Sequence, residues 1–208
     1  MKPRFVVSGT DTNVGKTVFA AGLAGALQGY YWKPIQSGAA PEGDKETVMR
    51  LSGLPSDHIL PEQYRLNAPL SPHRSAELDG ITIQPATLIP PSVEGPLIIE
   101  GAGGLMVPIT REFLQFDLYA KWDLPIILVA RTTLGTINHT LLSIAALRMR
   151  EVPLLGVAFV GEDNTDNMRT IGEIGEVRIL GRLPHLPQLN AHSLRDAFTT
   201  HFRKEDFA

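Results

Sequence analysis

Gly9-Thr10-Asp11-Thr12-Asn13-Val14-Gly15-Lys16-Thr17 decides the fold, because it follows the phosphate-loop pattern, with five residues rather than the usual four between its glycines, and has the right neighbours on both sides. Before it runs the apolar, β-branched stretch 4–8, and after it the helical pattern 16–27. Successive backbone N–H groups of such a loop wrap a phosphate, and the positive end of the following helix adds to their attraction. Lys16 then reaches the terminal phosphates as a point charge, and the Thr17 hydroxyl is placed to ligate a bridging magnesium ion. A glycine-rich turn with a solvated lysine is the plain alternative, and the strand and helix in place count against it.

Working outward, short apolar runs recur at 30–35, 96–100, 125–130, 154–160 and 177–181. Helical spacing or composition lies between them at 113–122, 137–149, 167–174 and 193–202. Leu97-Ile98-Ile99 and Ile126-Ile127-Leu128-Val129 do not alternate apolar with polar, as expected of strands covered on both faces. The expectation is a doubly wound α/β fold of the P-loop type, with a mainly parallel sheet flanked by helices, in one domain spanning 1–208. Gly29 is expected to end the first helix, and Thr136 or Asn138 to start the one at 137–149. The stretch 39–91 is rich in proline and polar residues, with one clear helix near 44–51, and reads as a substrate loop.

Composition narrows the partners. The 208 residues carry a formal charge of −3, which gives no basic field for a nucleic-acid backbone or an anionic membrane. There are no cysteines, so disulfides, thiolate nucleophiles and cysteine zinc sites are excluded. The apolar run near the N-terminus is too short for a signal peptide and no later stretch reaches the length that spans a bilayer, so a cytoplasmic location is expected. The six histidines include no pair at the i, i+4 spacing of a helical zinc motif.

Two further segments carry chemistry. Ile98-Ile99-Glu100-Gly101-Ala102-Gly103-Gly104 brings a carboxylate to a strand end and into a glycine-rich loop. Ligands of open α/β sheets gather there, so Glu100 is a candidate magnesium ligand; a solvated turn glutamate is the bland alternative. Trp32-Lys33-Pro34-Ile35-Gln36-Ser37-Gly38 sets a second lysine at the end of the next strand, although lysines taken one by one are mostly exposed. Asp44 is one acid among several in Glu42-Gly43-Asp44-Lys45-Glu46 and a weaker metal candidate. Tyr30, Tyr31 and Trp32 read as core or interface rather than as a stacking platform.

Together with Ser71-Pro72-His73 and Leu134-Gly135-Thr136-Ile137-Asn138-His139, these motifs resemble the dethiobiotin synthetase family in identity and order over most of the chain. The resemblance implies a magnesium-dependent ligase of biotin biosynthesis. In that reaction 7,8-diaminononanoate takes up carbon dioxide as a carbamate, the carbamate attacks the terminal phosphate of ATP, and the second amine closes the ureido ring. It implies Lys16 and Lys33 as catalytic groups and Thr17, Asp44 and Glu100 as magnesium ligands. Nucleotide contacts are implied at Asn13, Val14, Gly15, Lys16, Thr17, Val18, Gly101, Ala102, Gly103, Pro184, His185 and Leu186. It assigns the diamine or its carbamate to Thr12 and Ser37. The far carboxylate falls to Thr136, Ile137 and Asn138 of a neighbouring subunit, hence a homodimer. Where the family often has an Asn-Asp pair that reads adenine, this chain has Phe159-Val160-Gly161-Glu162, leaving Asp163-Asn164 as a substitute or other nucleoside triphosphates as substrates. Two alternatives share the fold class: a switch or partitioning ATPase, which commonly has a lysine where this chain has Thr10, and an amidoligase.

Overall fold

A computed structural model describes residues 2–38 and 42–207, so the segment 39–41 of the expected substrate loop lies outside the described residues. In chain order the elements are β1 (Arg4–Gly9), α1 (Lys16–Leu27), β2 (Tyr30–Trp32), β3 (Ile35–Ser37), α2 (Asp44–Ser52), β4 (Tyr64–Leu66) and α3 (Pro72–Asp79). There follow β5 (Leu97–Gly104), α4 (Gln115–Trp122), β6 (Ile126–Arg131), α5 (Thr136–Met149), β7 (Leu154–Val160), α6 (Thr165–Ile174), β8 (Ile179–Leu183) and α7 (Ala191–His201). The main sheet has the order β2-β5-β1-β6-β7-β8 and every ladder in it is parallel.

Both faces of this sheet are covered, which explains the unbroken apolar runs. Phe5 and Val7 of β1 and Ile127 and Val129 of β6 pack with α1 and α7 on one side. Val6, Ile126, Leu128 and Ala130 turn to the α4, α5 and α6 side. Alternate residues therefore enter opposite cores, and the one buried polar side chain of β1, Ser8, accepts from the Tyr119 hydroxyl at 3.3 Å. Helix α1 is apolar nearly all round because it is itself enclosed, with the sheet below it and α2 and α7 against its outer face. Phe19 meets Phe198 and Phe202 at ring-centroid distances of 5.6 and 5.4 Å.

Several details depart from expectation. The run 30–35 is two strands: Pro34 has no N–H for a ladder and breaks it, and β3 leaves the main sheet to pair with β4. The glycines after Glu100, read as a loop, continue β5, and they do so as a bulge: Val7 pairs with Glu100 but Gly9 with Gly104. The left-handed residue that ends α1 is Gln28, φ 50°, rather than Gly29. Strand β8 begins two residues late because the Val177 N–H is used to close α6 on the Gly172 carbonyl. The stretch 42–91 is also more ordered than a substrate loop with one helix. It contains α2, α3 and β4, and its apolar residues Leu66, Ala76, Ile83 and Leu88 form a core with Ile35, Ile109 and Leu118.

Helix α2, which carries Asp44, is seated by close backbone contact. A Cβ on Gly25 of α1 would fall 2.5 Å from the Ser52 carbonyl oxygen at the end of α2. Gly25→Ala is therefore expected to lower stability by about 1–3 kcal/mol, as overpacking does when backbone must yield. Urea unfolding would show this as a reduced midpoint at unchanged slope.

Candidate active site

Strand register assembles the centre. Val7 pairs with Glu100 on one side of β5, and Trp32 with Ile99 on the other, so the chain leaving β2 at Lys33 lies beside Glu100. Glu100 is 1% exposed and Lys33 4%. Burial removes the alternative of a solvated turn glutamate for Glu100 and the reading of Lys33 as a surface lysine. The Lys33 ammonium lies 3.1 Å from Glu100 Oε1 and 2.5 Å from Asp44 Oδ2, and donates to the Gly101 carbonyl at 3.4 Å. Thr17 donates its hydroxyl to the same Glu100 Oε1 at 2.8 Å. Thus Thr17 from α1, Lys33 after β2, Asp44 from α2 and Glu100 from β5 meet in one cluster.

Asp44 reaches it because α2 starts there. The Glu46 carboxylate caps the helix by accepting from the Gly43 N–H at 2.8 Å, and Gln36 Oε1 accepts from the Asp44 N–H at 3.0 Å. Burial works against the charge on Asp44, but Lys33 outweighs it and holds the carboxyl below its ordinary value. Burial likewise opposes the charge on Lys33; the carboxylates of Glu100 and Asp44 more than offset it and keep the ammonium protonated. Three hard oxygen donors, Thr17 Oγ1 and the two carboxylates, converge here and suit magnesium.

In the phosphate loop Asn13 and Gly15 are left-handed, φ 57° and 95°, and Gly15 backs directly onto Val160. Lys16 Nζ donates to the Asp11 carbonyl at 2.9 Å, and Asp11 pairs with Arg131 at 2.9 Å. A cavity of about 870 Å³ opens over the loop and the cluster. Thr12, Asn13, Gly15, Lys16, Thr17 and Val18 line it, with Lys33, Ser37, Asp44, Glu100, Ala102 and Gly103. Val14 is buried behind the loop. The Ser37 hydroxyl is buried without a partner among the described residues, a polar atom left for a ligand.

Other expected residues lie apart. Pro184, His185 and Leu186 follow β8 and are not among the residues lining the cavity, nor are Thr136, Ile137 and Asn138 at the start of α5. Gly135, φ 91°, is the residue before α5, so Asn138 does not start the helix. The Thr136 hydroxyl donates to the Arg131 carbonyl at 2.5 Å, and its N–H to the Thr133 carbonyl. Thr136 is therefore spent on its own turn, whereas Ile137 and Asn138 carry first-turn N–H groups that no helix carbonyl reaches. The Asn164 side chain caps α6, accepting from the Asn167 N–H at 3.1 Å and donating to the Thr132 carbonyl at 3.2 Å. Two contributors went unassigned in the sequence, Gln36, which holds the start of α2, and Tyr31, which donates to Glu100 Oε2 at 2.8 Å. Tyr31 reaches Glu100 across 69 residues and read in the sequence only as core or interface, while Gln36 reaches Asp44 across eight with nothing in its local pattern to mark it.

Comparison with known proteins bears on the family and the fold. A family model described as an AAA domain matches residues 3–193. The chain is similar to the ATP-dependent dethiobiotin synthetase BioD of Rhodopseudomonas palustris strain HaA2, 57% identical over 207 residues that cover 100% of this chain and 97% of that one. It is equally similar to the protein of the same name from Agrobacterium fabrum strain C58, at 57% identity with 100% and 98% covered. Among solved structures, a ParA family ATPase from Chlorobium tepidum TLS aligns with a TM-score of 0.55 at 17% identity, covering 96% of this chain and 92% of that chain. A plasmid partition protein from Borrelia burgdorferi aligns at 0.54 and 10% identity, with 96% and 99% covered. These two likenesses establish the α/β P-loop fold alone.

Burial lowers the Lys16 pKa to about 8, against a partial raising by Glu100. Below that value the folded protein carries Lys16 charged at a cost. Between about 8 and the unfolded value of 10.5 the unfolded chain binds more protons, so this term favours the fold as pH rises. Binding of a triphosphate by Lys16 would run the other way, because it would use the charged form. Affinity for a non-hydrolysable ATP analogue, measured by calorimetry, is expected to fall by up to about tenfold per pH unit above 8, and Lys16→Met should flatten that slope.

Proposed function

The chain belongs to the ATP-dependent dethiobiotin synthetase family, and from that premise we propose that the Thr17, Lys33, Asp44 and Glu100 cluster is where its carboxylated diamine meets the triphosphate. The protein is an ATP-dependent ligase of biotin biosynthesis. The observation that carries the site assignment is the buried Lys33 ammonium held between two carboxylates beside the phosphate loop. Carbamate and triphosphate are both anions, and bringing them together requires positive charge fixed in place before they arrive.

The carbamate forms from carbon dioxide and one amine of 7,8-diaminononanoate, with loss of a proton. Its oxygen attacks the γ-phosphorus, the bond to the β-phosphate oxygen breaks, and ADP leaves. The second amine then attacks the carbamoyl carbon, the C–O bond to phosphate breaks, and phosphate departs as the ring closes with loss of another proton. Lys16 and Lys33 hold the oxygens on which charge builds, and backbone N–H groups of 13–18 hold the triphosphate. Thr17, Asp44 and Glu100 would hold magnesium, which when bound neutralises phosphate charge. Thr12 and Ser37 contact the diamine end, in keeping with their place in the cavity wall.

Two finer points belong to the same reading. Ile137 and Asn138 lie outside the lining of their own chain's cavity, so their service to the substrate carboxylate requires a second copy, and exposed Leu134 and Leu142 by α5 offer an apolar surface for a homodimer. With the Asn164 side chain engaged in its cap, base contacts fall to Asp163 and the stretch 184–186, and CTP and GTP join ATP as co-substrates. Among the described residues no helix is long and apolar enough to cross a membrane, and we place the reaction in the cytoplasm.

The deciding measurement is phosphate release with magnesium, bicarbonate and ATP, with and without 7,8-diaminononanoate, repeated with CTP and GTP. Release that depends on the diamine supports this reading; diamine-independent release would point to a switch ATPase. Lys33→Ala should reduce kcat by about 10²–10³, the scale of losing one transition-state donor, while ATP-analogue affinity changes far less. Near-normal turnover in that variant would remove Lys33 from the mechanism.

A further inference from the structure

Tyr31 is fully buried, yet its one polar atom is directed at the site. It pairs with Ile98 across the β2–β5 ladder, and Glu100 lies two residues beyond Ile98 on the same face. The phenol ring spans that step and brings its hydroxyl to 2.8 Å from Glu100 Oε2. The two carboxylate oxygens thus have separate occupations. Oε1 faces Thr17 and Lys33, while Oε2 is held from behind by Tyr31. Burial and the nearby Glu100 charge hold the phenol in its neutral, hydrogen-donating form.

We infer that Tyr31 is a positioning residue for Glu100: its hydrogen bond fixes the carboxylate plane so that Oε1, and not Oε2, is presented to the cation bound beside Thr17. This rests on the reading of Glu100 as a metal ligand. At 1% exposure Glu100 has no water to replace a lost donor, so without Tyr31 the carboxylate turns to satisfy Oε2 and its presented edge is lost. Groups that orient a metal ligand typically account for about 10–100-fold in metal affinity or activity.

The test is Tyr31→Phe, which keeps the ring and removes only the hydroxyl. Mn²⁺ binding to the ADP-loaded protein is followed by the EPR signal of free Mn²⁺, beside the Mg²⁺ dependence of turnover. The expected result is Mn²⁺ affinity reduced at least about tenfold and a matching rise in the Mg²⁺ needed for half-maximal rate, with the KM for the diamine unchanged. In a Glu100→Gln background, Tyr31→Phe should cost nothing further. Unchanged Mn²⁺ affinity in Tyr31→Phe, when Glu100→Gln alone weakens it, overturns the inference and leaves the site assignment standing. Unchanged affinity in Glu100→Gln overturns the assignment itself. If Tyr31→Phe does not fold, Tyr31→Met fills the same core position and is held to the same outcomes. A lowered melting temperature with unaltered metal dependence would mark Tyr31 as core alone and overturn the inference.

Discussion

A carboxylate at the end of a fully covered strand is the constraint around which this molecule is arranged. Glu100 has almost no contact with solvent, and a buried, unpaired carboxylate carries a penalty of several kcal/mol. Tyr31 of β2, Lys33 just after it and Thr17 of α1 donate to Glu100 and reduce that penalty, while Asp44 of α2 shares the Lys33 ammonium. Two ammonium groups, Lys16 and Lys33, face two carboxylates, so the bare cluster is near electrical balance. Such a cluster adds little net stability, but it tolerates few geometries, and a narrow geometry is what transfer between two anions demands.

The remainder of the fold maintains that geometry. Small residues on α1 let α2 and α7 approach its backbone closely, with Gly22 against Phe198 and Gly25 against Ser52. Pro34 ends the β2 ladder one residue after Lys33 and turns the chain into β3, whose partner β4 begins the second core. The stretch 42–91 therefore forms a packed wall of the cavity. The bulge in β5 gives Gly101 room beneath Tyr119, whose hydroxyl would lie 1.8 Å from any Cβ placed there. These small-residue contacts place α2 and β5 where Asp44 and Glu100 are needed.

The likeness to partitioning ATPases in fold, at 10 and 17% identity, sits beside relatives at 57% identity that are ligases. One fold hosts different activities, and the residues beside the loop are where they can differ. In this chain Lys33, Asp44, Glu100 and the cavity wall of 36–38 and 69–72 lie there, all of them outside the loop itself.

The sequence by itself determined the sheet and its phosphate loop, because the signals are local: two-sided apolar strands, a phosphate-loop motif one residue longer than usual, and helices whose caps and periodicity lie within a few residues. Lys33 and Glu100 were legible as candidates since each ends an apolar run, where parallel sheets place their ligands. Only the tertiary structure decided which acid of Glu42, Asp44 and Glu46 joins them, that the 30–35 run divides at Pro34, that Asn164 is a helix cap, and that Tyr31 serves Glu100. Each of these depends on contacts between residues far apart in the chain, or on competition between local hydrogen bonds. Strand register and helix packing settle such matters, and neither is written in any short window of sequence.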